Sequence, residues 1–242
     1  MSKSADQTVK AIVLAAGHGT RMGTEIPKQY LMLGGYEVLY YSLKAFEESP
    51  VDEIVLVTGA DEVSWCREQI VEKYGFSKVR KIIAGGKERC DSVYRGLLAA
   101  APCGYVLIHD GARPLISREI IRDVLKGTTE FGNCTTGMPV KDTIKIADRD
   151  DMAADTPDRK SLWAIHTPQG FAYPLILEAH EKFREGDFQI PVTDDTMLVE
   201  IFLRQKTKLV KGSYENIKVT TPEDMELARI FLKKRGSFAE RG

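Results

Sequence analysis

The chain has 242 residues, with 34 Lys and Arg against 35 Asp and Glu, a formal net charge of −1. That length accommodates one large α/β domain with a well-buried core, and the near-neutral balance gives no bulk electrostatic ground for binding nucleic acid or a membrane surface. Four cysteines, Cys66, Cys90, Cys103 and Cys134, stand without any C-x-x-C pair, which argues against a zinc site and for free thiols in a reducing compartment.

The first ten residues, MSKSADQTVK, are polar and lack a signal-peptide core, and no apolar run approaches the length of a membrane span. A cytoplasmic location is the expectation. Ala11-Ile-Val-Leu14 then reads as a short buried strand entering LAAGHGTRMGTEIPK, with glycines at Gly17, Gly19 and Gly23, and Arg21 and Lys28 as cations. Glycine permits close backbone approach, and a strand ending in such a loop leaves several N–H groups for one anion. Two cations beside those amides suit a polyphosphate. A dinucleotide loop would need glycine where Met22 stands, and a P-loop would need G-K-[ST] after Gly23. The plain alternative is an ordinary strand-to-helix turn. Arg21, Pro27, Lys28 and Gln29 following in order favour a nucleotide-phosphate loop.

Leu39, Leu43 and Phe46 recur at helical spacing and predict a helix over Glu37–Glu48. Glu53–Thr58 is a second strand, Asp61 a candidate cap for a helix facing inward through Val63, Cys66, Ile70 and Tyr74, and Val79–Ile83 a third strand ending at Gly85-Gly86. A helix over Arg89–Ala101 and a fourth strand at Tyr105–His109 follow. This alternation implies right-handed crossovers in a mostly parallel sheet flanked by helices, with ligands at the carboxyl ends of the strands. Asp110 stands at such an end; His109, inside the strand, reads as a packed histidine and not a base.

Ser117 is the expected cap of a helix through Phe131, and Thr135–Val140 a fifth strand. Residues 141–160 are charged and too long for a plain loop; two short strands around a polar tip at Asp148–Asp151 fit better. Trp163–Gln169 reads as a return strand with Thr167 at its end, Pro174–Arg184 as a helix, and Thr193 as the cap of another. Lys218, between Ile217 and Val219, reads as part of a short strand, and Thr221-Pro-Glu-Asp224 as a capped helix start.

The segments LAAGHGTRM and PKQY resemble the signature of nucleotidyltransferases that join a nucleoside triphosphate to a sugar or polyol phosphate, and PKQY is similar in particular to the 2-C-methyl-D-erythritol 4-phosphate cytidylyltransferase family. Later segments, GGKERCDSV, HDGARP and NIKVT, extend the resemblance over Lys10–Lys233. It implies a Rossmann-like domain spanning residues 1–242 with a protruding dimerisation arm at 141–160. It also implies cytidylyl transfer from CTP to methylerythritol phosphate, with Mg²⁺ or another divalent cation and a homodimer with shared active sites. Arg21, Lys28 and Lys218 would be catalytic. Leu14, Ala15, Ala16, Gly17, Gly19, Gly86, Ser92, Asp110 and Gly111 would bind the nucleotide, and Asp110 would also approach the metal. Arg113, Thr143, Arg159, Thr167 and Thr193 would bind the acceptor.

Lys87 stands at a variable point of the GGKERCDSV element, which leaves a base contact from it open. Three other readings also stay open on the residues alone. Ribitol 5-phosphate could be the acceptor, although LAAG and HDGARP lean toward methylerythritol. An NAD(P)-linked oxidoreductase conflicts with Met22 and with a second strand that ends Val57-Thr58-Gly59 without an acid. A non-catalytic nucleotide sensor would not need Arg21, Lys28 and Lys218 together.

Overall fold

A computed structural model describes residues 4–17, 26–186, 188 and 191–236. A 3-10 turn (Ala5–Gln7) leads into β1 (Val9–Ala15), and further along a tight hairpin of β2 (Met32–Leu33) and β3 (Tyr36–Glu37) runs into α1 (Val38–Glu47). Then come β4 (Glu53–Thr58), α2 (Val63–Cys66), β5 (Val79–Ala84), α3 (Arg89–Ala100), β6 (Tyr105–Asp110), α4 (Arg118–Phe131) and β7 (Asn133–Pro139). A second hairpin, β8 (Ile146–Ala147) and β9 (Ala153–Asp155), precedes β10 (Trp163–Ala172), α5 (Tyr173–Glu185), α6 (Asp195–Phe202), β11 (Lys208–Lys211) and α7 (Pro222–Lys234).

Seven strands form the central sheet in the order β11-β7-β10-β6-β1-β4-β5. β1, β4, β5 and β6 are mutually parallel, β11 runs parallel to β7, and β10 returns antiparallel between β7 and β6. The predicted mostly parallel, helix-flanked sheet is therefore the observed one. β1 lies inside the sheet, between β6 and β4, because it is apolar on both sides. Ala11, Val13 and Ala15 join one core with α1 and α4, while Ile12 joins the other with α3, α5 and α6. The two-residue period of a strand sends alternate side chains to opposite faces, so one short apolar run holds two helix layers. Fully burying a side chain such as Ile12 or Leu107 is worth about 1.5–3 kcal/mol. A Cβ at Gly96 would meet Ile12 Cγ2 at 2.6 Å, so α3 needs glycine there to sit so close to β1.

Several boundaries follow from local chemistry. Ser117 caps α4, its hydroxyl accepting from Ile120 N–H, and Asp224 accepts from the Thr220 and Thr221 N–H groups at the start of α7. Asp61 does not cap the second helical segment. Glu62 accepts from Gly59 N–H instead, and the segment breaks into a 3-10 turn, α2 and a π turn over Arg67–Glu72. Asp194, not Thr193, caps α6, accepting from Met197 N–H. Thr167 lies inside β10 at a register shift between Ile165 and Gln169, not at the end of a strand. Lys218 lies in no strand; the segment is tied down by Val219 N–H donating to the Ala112 carbonyl. The β2–β3 hairpin, which turns on Gly34 and Gly35 at φ 58° and 92°, and β11 are both absent from the sequence-based expectation.

The β8–β9 hairpin confirms two short strands around a polar tip, and it leaves Ile146 and Met152 51% and 66% exposed. Among the described residues no helix is long and apolar enough to cross a membrane. All four cysteines are free.

Candidate active site

The parallel strands deliver their carboxyl ends to one edge, and a cleft opens there. The end of β1 and the residues just after it supply Leu14, Ala15, Ala16 and Gly17, the turn after β5 supplies Gly86, and the first turn of α3 supplies Ser92. Asp110, Lys28 and Lys218 complete the same wall. Most of the expected nucleotide and catalytic residues, dispersed in sequence, thus line one space. Gly19 and Arg21 lie outside the described residues. Gly111 is not on the cleft wall: its N–H donates to the Leu14 carbonyl and its own carbonyl accepts from Ser42 Oγ, so it packs β6 against β1 and α1.

Lys28 is presented by its neighbours. Gln29, 2% exposed, donates from Nε2 to the Ala15 carbonyl at 2.5 Å, and Tyr30 O–H donates to Glu62 Oε2 at 2.7 Å. The Gln-Tyr pair of the PKQY segment therefore ties the 3-10 turn Lys28–Tyr30 to the end of β1 and to the second helical segment. On the opposite wall, Gly86 N–H donates to Ser92 Oγ at 3.0 Å and Ser92 O–H donates to the Glu88 carbonyl at 3.2 Å. A Cβ on Gly85 would meet Ala16 Cβ at 2.6 Å, so this turn needs glycine to close against β1.

A second cleft adjoins the first through Arg89, Asp110 and Lys218. Arg113, Thr167 and Thr193 line it, together with His166 and Gln169. The Thr167 hydroxyl accepts from Asp110 N–H at 3.0 Å and lies 3.0 Å from His109 Nδ1, so within this chain it supports the end of β6. Arg113 donates from Nη1 to the Asn216 carbonyl, and Asn216 Nδ2 donates to the Thr167 carbonyl, which fixes the segment carrying Lys218. Thr143 and Arg159 line neither cleft of their own chain; Arg159 donates to the Lys141 carbonyl at the root of the hairpin.

Asp110 is the electrostatic centre. Lys218 Nζ lies 2.8 Å from its Oδ2, Arg113 Nε 3.8 Å from the same oxygen, and Arg89 Nε 3.4 Å from Oδ1. Burial raises its pKa, but Arg89, Lys218 and Arg113 outweigh that and hold it well below the usual carboxylate range. His109 is fully buried, which pushes it down to about 3 and keeps it neutral, in line with a packed histidine. The sequence assigns Arg89 no role of its own, although it lies within the GGKERCDSV segment. Its partners Asp110 and Asp195 come from other elements, and only folding brings them together.

Among the described residues no group of three or more His, Cys, Asp or Glu is placed to hold a metal ion. Asp110 lines both clefts, beside Glu88 in the first and Asp194 in the second, and Mg²⁺ takes only one or two carboxylates, completing its shell with phosphate oxygens and water.

The family model for 2-C-methyl-D-erythritol 4-phosphate cytidylyltransferase matches residues 9–234, nearly the whole described fold. The chain belongs to that family. Curated family members bearing that name include one from Lachnospira eligens, 54% identical over 224 residues that cover 92% of this chain and 98% of the relative. Another, from Caldanaerobacter subterraneus subsp. tengcongensis, is 48% identical over 228 residues, 93% of this chain and 99% of the relative. Among solved structures, the 4-diphosphocytidyl-2C-methyl-D-erythritol synthase of Anaerococcus prevotii superposes with a TM-score of 0.82 at 34% identity, over 94% of this chain and 99% of that one.

Proposed function

We propose that this chain transfers the cytidylyl group of CTP to 2-C-methyl-D-erythritol 4-phosphate, giving 4-diphosphocytidyl-2-C-methyl-D-erythritol and pyrophosphate. The observation that carries this reading is the cleft at the sheet edge, where the end of β1, Lys28, Asp110 and Lys218 face one space in a chain of this family. The acceptor phosphate is anionic at neutral pH, so it attacks the α-phosphorus without a general base. The new bond joins an acceptor-phosphate oxygen to the α-phosphorus, the bond from the α-phosphorus to the bridging oxygen breaks, and pyrophosphate leaves with that electron pair. Catalysis then rests on positioning and on charge stabilisation at a crowded phosphorus.

In this proposal Arg21, Lys28 and Lys218 stabilise the developing charge. The backbone of Gly17 to Gly19 holds the triphosphate, Leu14, Ala15 and Ala16 line the nucleotide site, Gly86 and Ser92 line the base side, and Asp110 faces the ribose and phosphates. Arg113, Thr167 and Thr193 lie on the acceptor side. Asp110 would hold Mg²⁺ together with the triphosphate, and the cation would neutralise phosphate charge when bound.

The proposal also takes the chain as one nucleotidyltransferase domain whose residues 141–160 form a dimerisation arm carrying Thr143 and Arg159 to a second subunit's site. The exposed Ile144, Ile146 and Met152 support an arm that a partner covers. Free thiols suit a cytoplasmic location. The test is pyrophosphate release from CTP with methylerythritol phosphate and, separately, with ribitol 5-phosphate, the product identified by mass. Turnover with the first acceptor is expected; turnover with ribitol 5-phosphate alone, or with neither, overturns the reading.

A further inference from the structure

Three element ends meet where the two clefts join. Arg89 is the first residue of α3, Asp110 the last of β6 and Asp195 the first of α6. The Arg89 guanidinium spans them, with Nη2 2.8 Å from Asp195 Oδ2 and Nε 3.4 Å from Asp110 Oδ1. Its side chain is 28% exposed and lines both clefts, whereas the Asp195 side chain is 0% exposed and lines neither.

Asp195 is held from behind. Its N–H donates to Gln169 Oε1 at 2.9 Å, and Gln169 Nε2 donates in turn to Asp194 Oδ2 at 2.8 Å. Its second carboxylate oxygen faces Nε2 of the fully buried His180 at 3.6 Å, and the other ring nitrogen of His180 faces Cys90 Sγ at 3.6 Å. A buried ion pair is a poor source of net stability compared with apolar packing, and its best use is to fix one geometry. Arginine suits such a bridge because its planar fork can address two carboxylates at once, which an ammonium cannot match in shape.

We propose that Arg89, braced by Asp195, is a positioning residue for the transfer reaction. It holds Asp110 through Oδ1 and so leaves Oδ2 to Lys218, which lies 2.8 Å away. The carboxylate and the ammonium then meet the substrates in one fixed orientation. This inference rests on the cytidylyl-transfer reading of the same cleft.

The test uses Arg89→Gln, Arg89→Lys, Asp195→Asn and the double variant Arg89→Gln/Asp195→Asn, in full-length protein whose melting is checked first. Two readouts are taken: kcat and KM for pyrophosphate release, and the Mg²⁺ concentration that half-saturates CTP binding by calorimetry, which requires no turnover. Arg89→Gln and Asp195→Asn should each lower kcat by roughly 10–100-fold with KM for CTP changed less than about 3-fold. They should raise the Mg²⁺ requirement together, and the double variant should be no worse than the more impaired single one, because both break one chain of contacts. Arg89→Lys should not restore kcat. Should Arg89→Gln fail to fold, Arg89→Lys and Asp195→Asn carry the same comparison. Folded variants with parental kcat and Mg²⁺ requirement, single effects that multiply in the double variant, or rescue by lysine would overturn the brace. A parent that binds CTP but transfers nothing would sink the functional reading alone, and the calorimetric comparison would still decide the brace.

Discussion

Lys218 Nζ lies 2.8 Å from Asp110 Oδ2, so the ammonium of one chain segment is held by the carboxylate that ends β6. The pair sits where the two clefts join, with Arg113 and Arg89 completing the ring of cations around one acid. Positive charge is thereby concentrated at the strand ends before any phosphate arrives. A site arranged in this way needs no reorganisation to meet charge as it develops.

Lys28→Ala and Lys218→Ala should each lower kcat by roughly 10²–10³-fold, the range for loss of one preorganised donor to transition-state charge. CTP binding should weaken by less than turnover does. Steady-state kinetics with calorimetric CTP affinities checks this, and an unchanged kcat in either variant would remove that lysine from the mechanism.

Asp110→Asn should raise the Mg²⁺ concentration needed for half-maximal rate, because a hard cation loses an anionic oxygen or a nearby partner. The same substitution leaves Lys218, Arg113 and Arg89 without their shared counter-charge. A Mg²⁺ titration that superimposes on that of the parent would confine Asp110 to the ribose.

Much of the fold was legible in the sequence because its signals are local. The Glu53–Thr58 strand is a continuous apolar run bounded by breakers, and α4 starts at Ser117 because a hydroxyl there reaches Ile120 N–H. The errors arose where two residues compete for one job or where alternation misleads. Thr193 and Asp194 are both capping types in adjacent positions, and only the folded chain decides for Asp194. Ile217-Lys-Val219 alternates as a strand does, yet it joins no ladder: Ile217 N–H donates to the nearby Glu215 carbonyl and Val219 N–H to the Ala112 carbonyl. β11 carries little sequence signal because KLVK has two lysines around two apolar residues and lies at the sheet edge. The cleft was legible through its glycines and the Lys28 and Asp110 positions. Arg89 and Asp195 were not, since an ion pair between residues 106 apart leaves no mark on spacing.

His166 provides a pH prediction. Burial, aided by the nearby Arg113 charge, pushes it down to about 4 from an ordinary 6.5. The folded state therefore binds fewer protons than the unfolded one between those values. The stability His166 contributes by staying neutral is complete above pH 6.5 and is lost as pH falls toward 4. Urea melts across that interval should show a steeper loss in the parent than in His166→Gln, which cannot protonate there. Parallel curves would mean that His166 is as easily protonated folded as unfolded.

The last prediction concerns the arm. Thr143 and Arg159 line neither cleft of their own chain, and the β8–β9 hairpin between them exposes Ile146 and Met152. If Arg159 serves a second subunit, Lys28 and Arg159 at one site belong to different chains. Lys28→Ala and Arg159→Ala homodimers should then both be nearly inactive. When they are mixed in equal amounts under conditions that exchange subunits, half of the dimers become heterodimers. Each heterodimer has one site with both residues intact and one with neither, so closed two-fold pairing gives about a quarter of parental activity. Recovery should follow the time course of exchange and should vanish if each homodimer is cross-linked beforehand. A mixture that stays as inactive as its components after exchange has been demonstrated by mass would mean that Arg159 acts, if at all, within its own chain, and that the active sites are not shared.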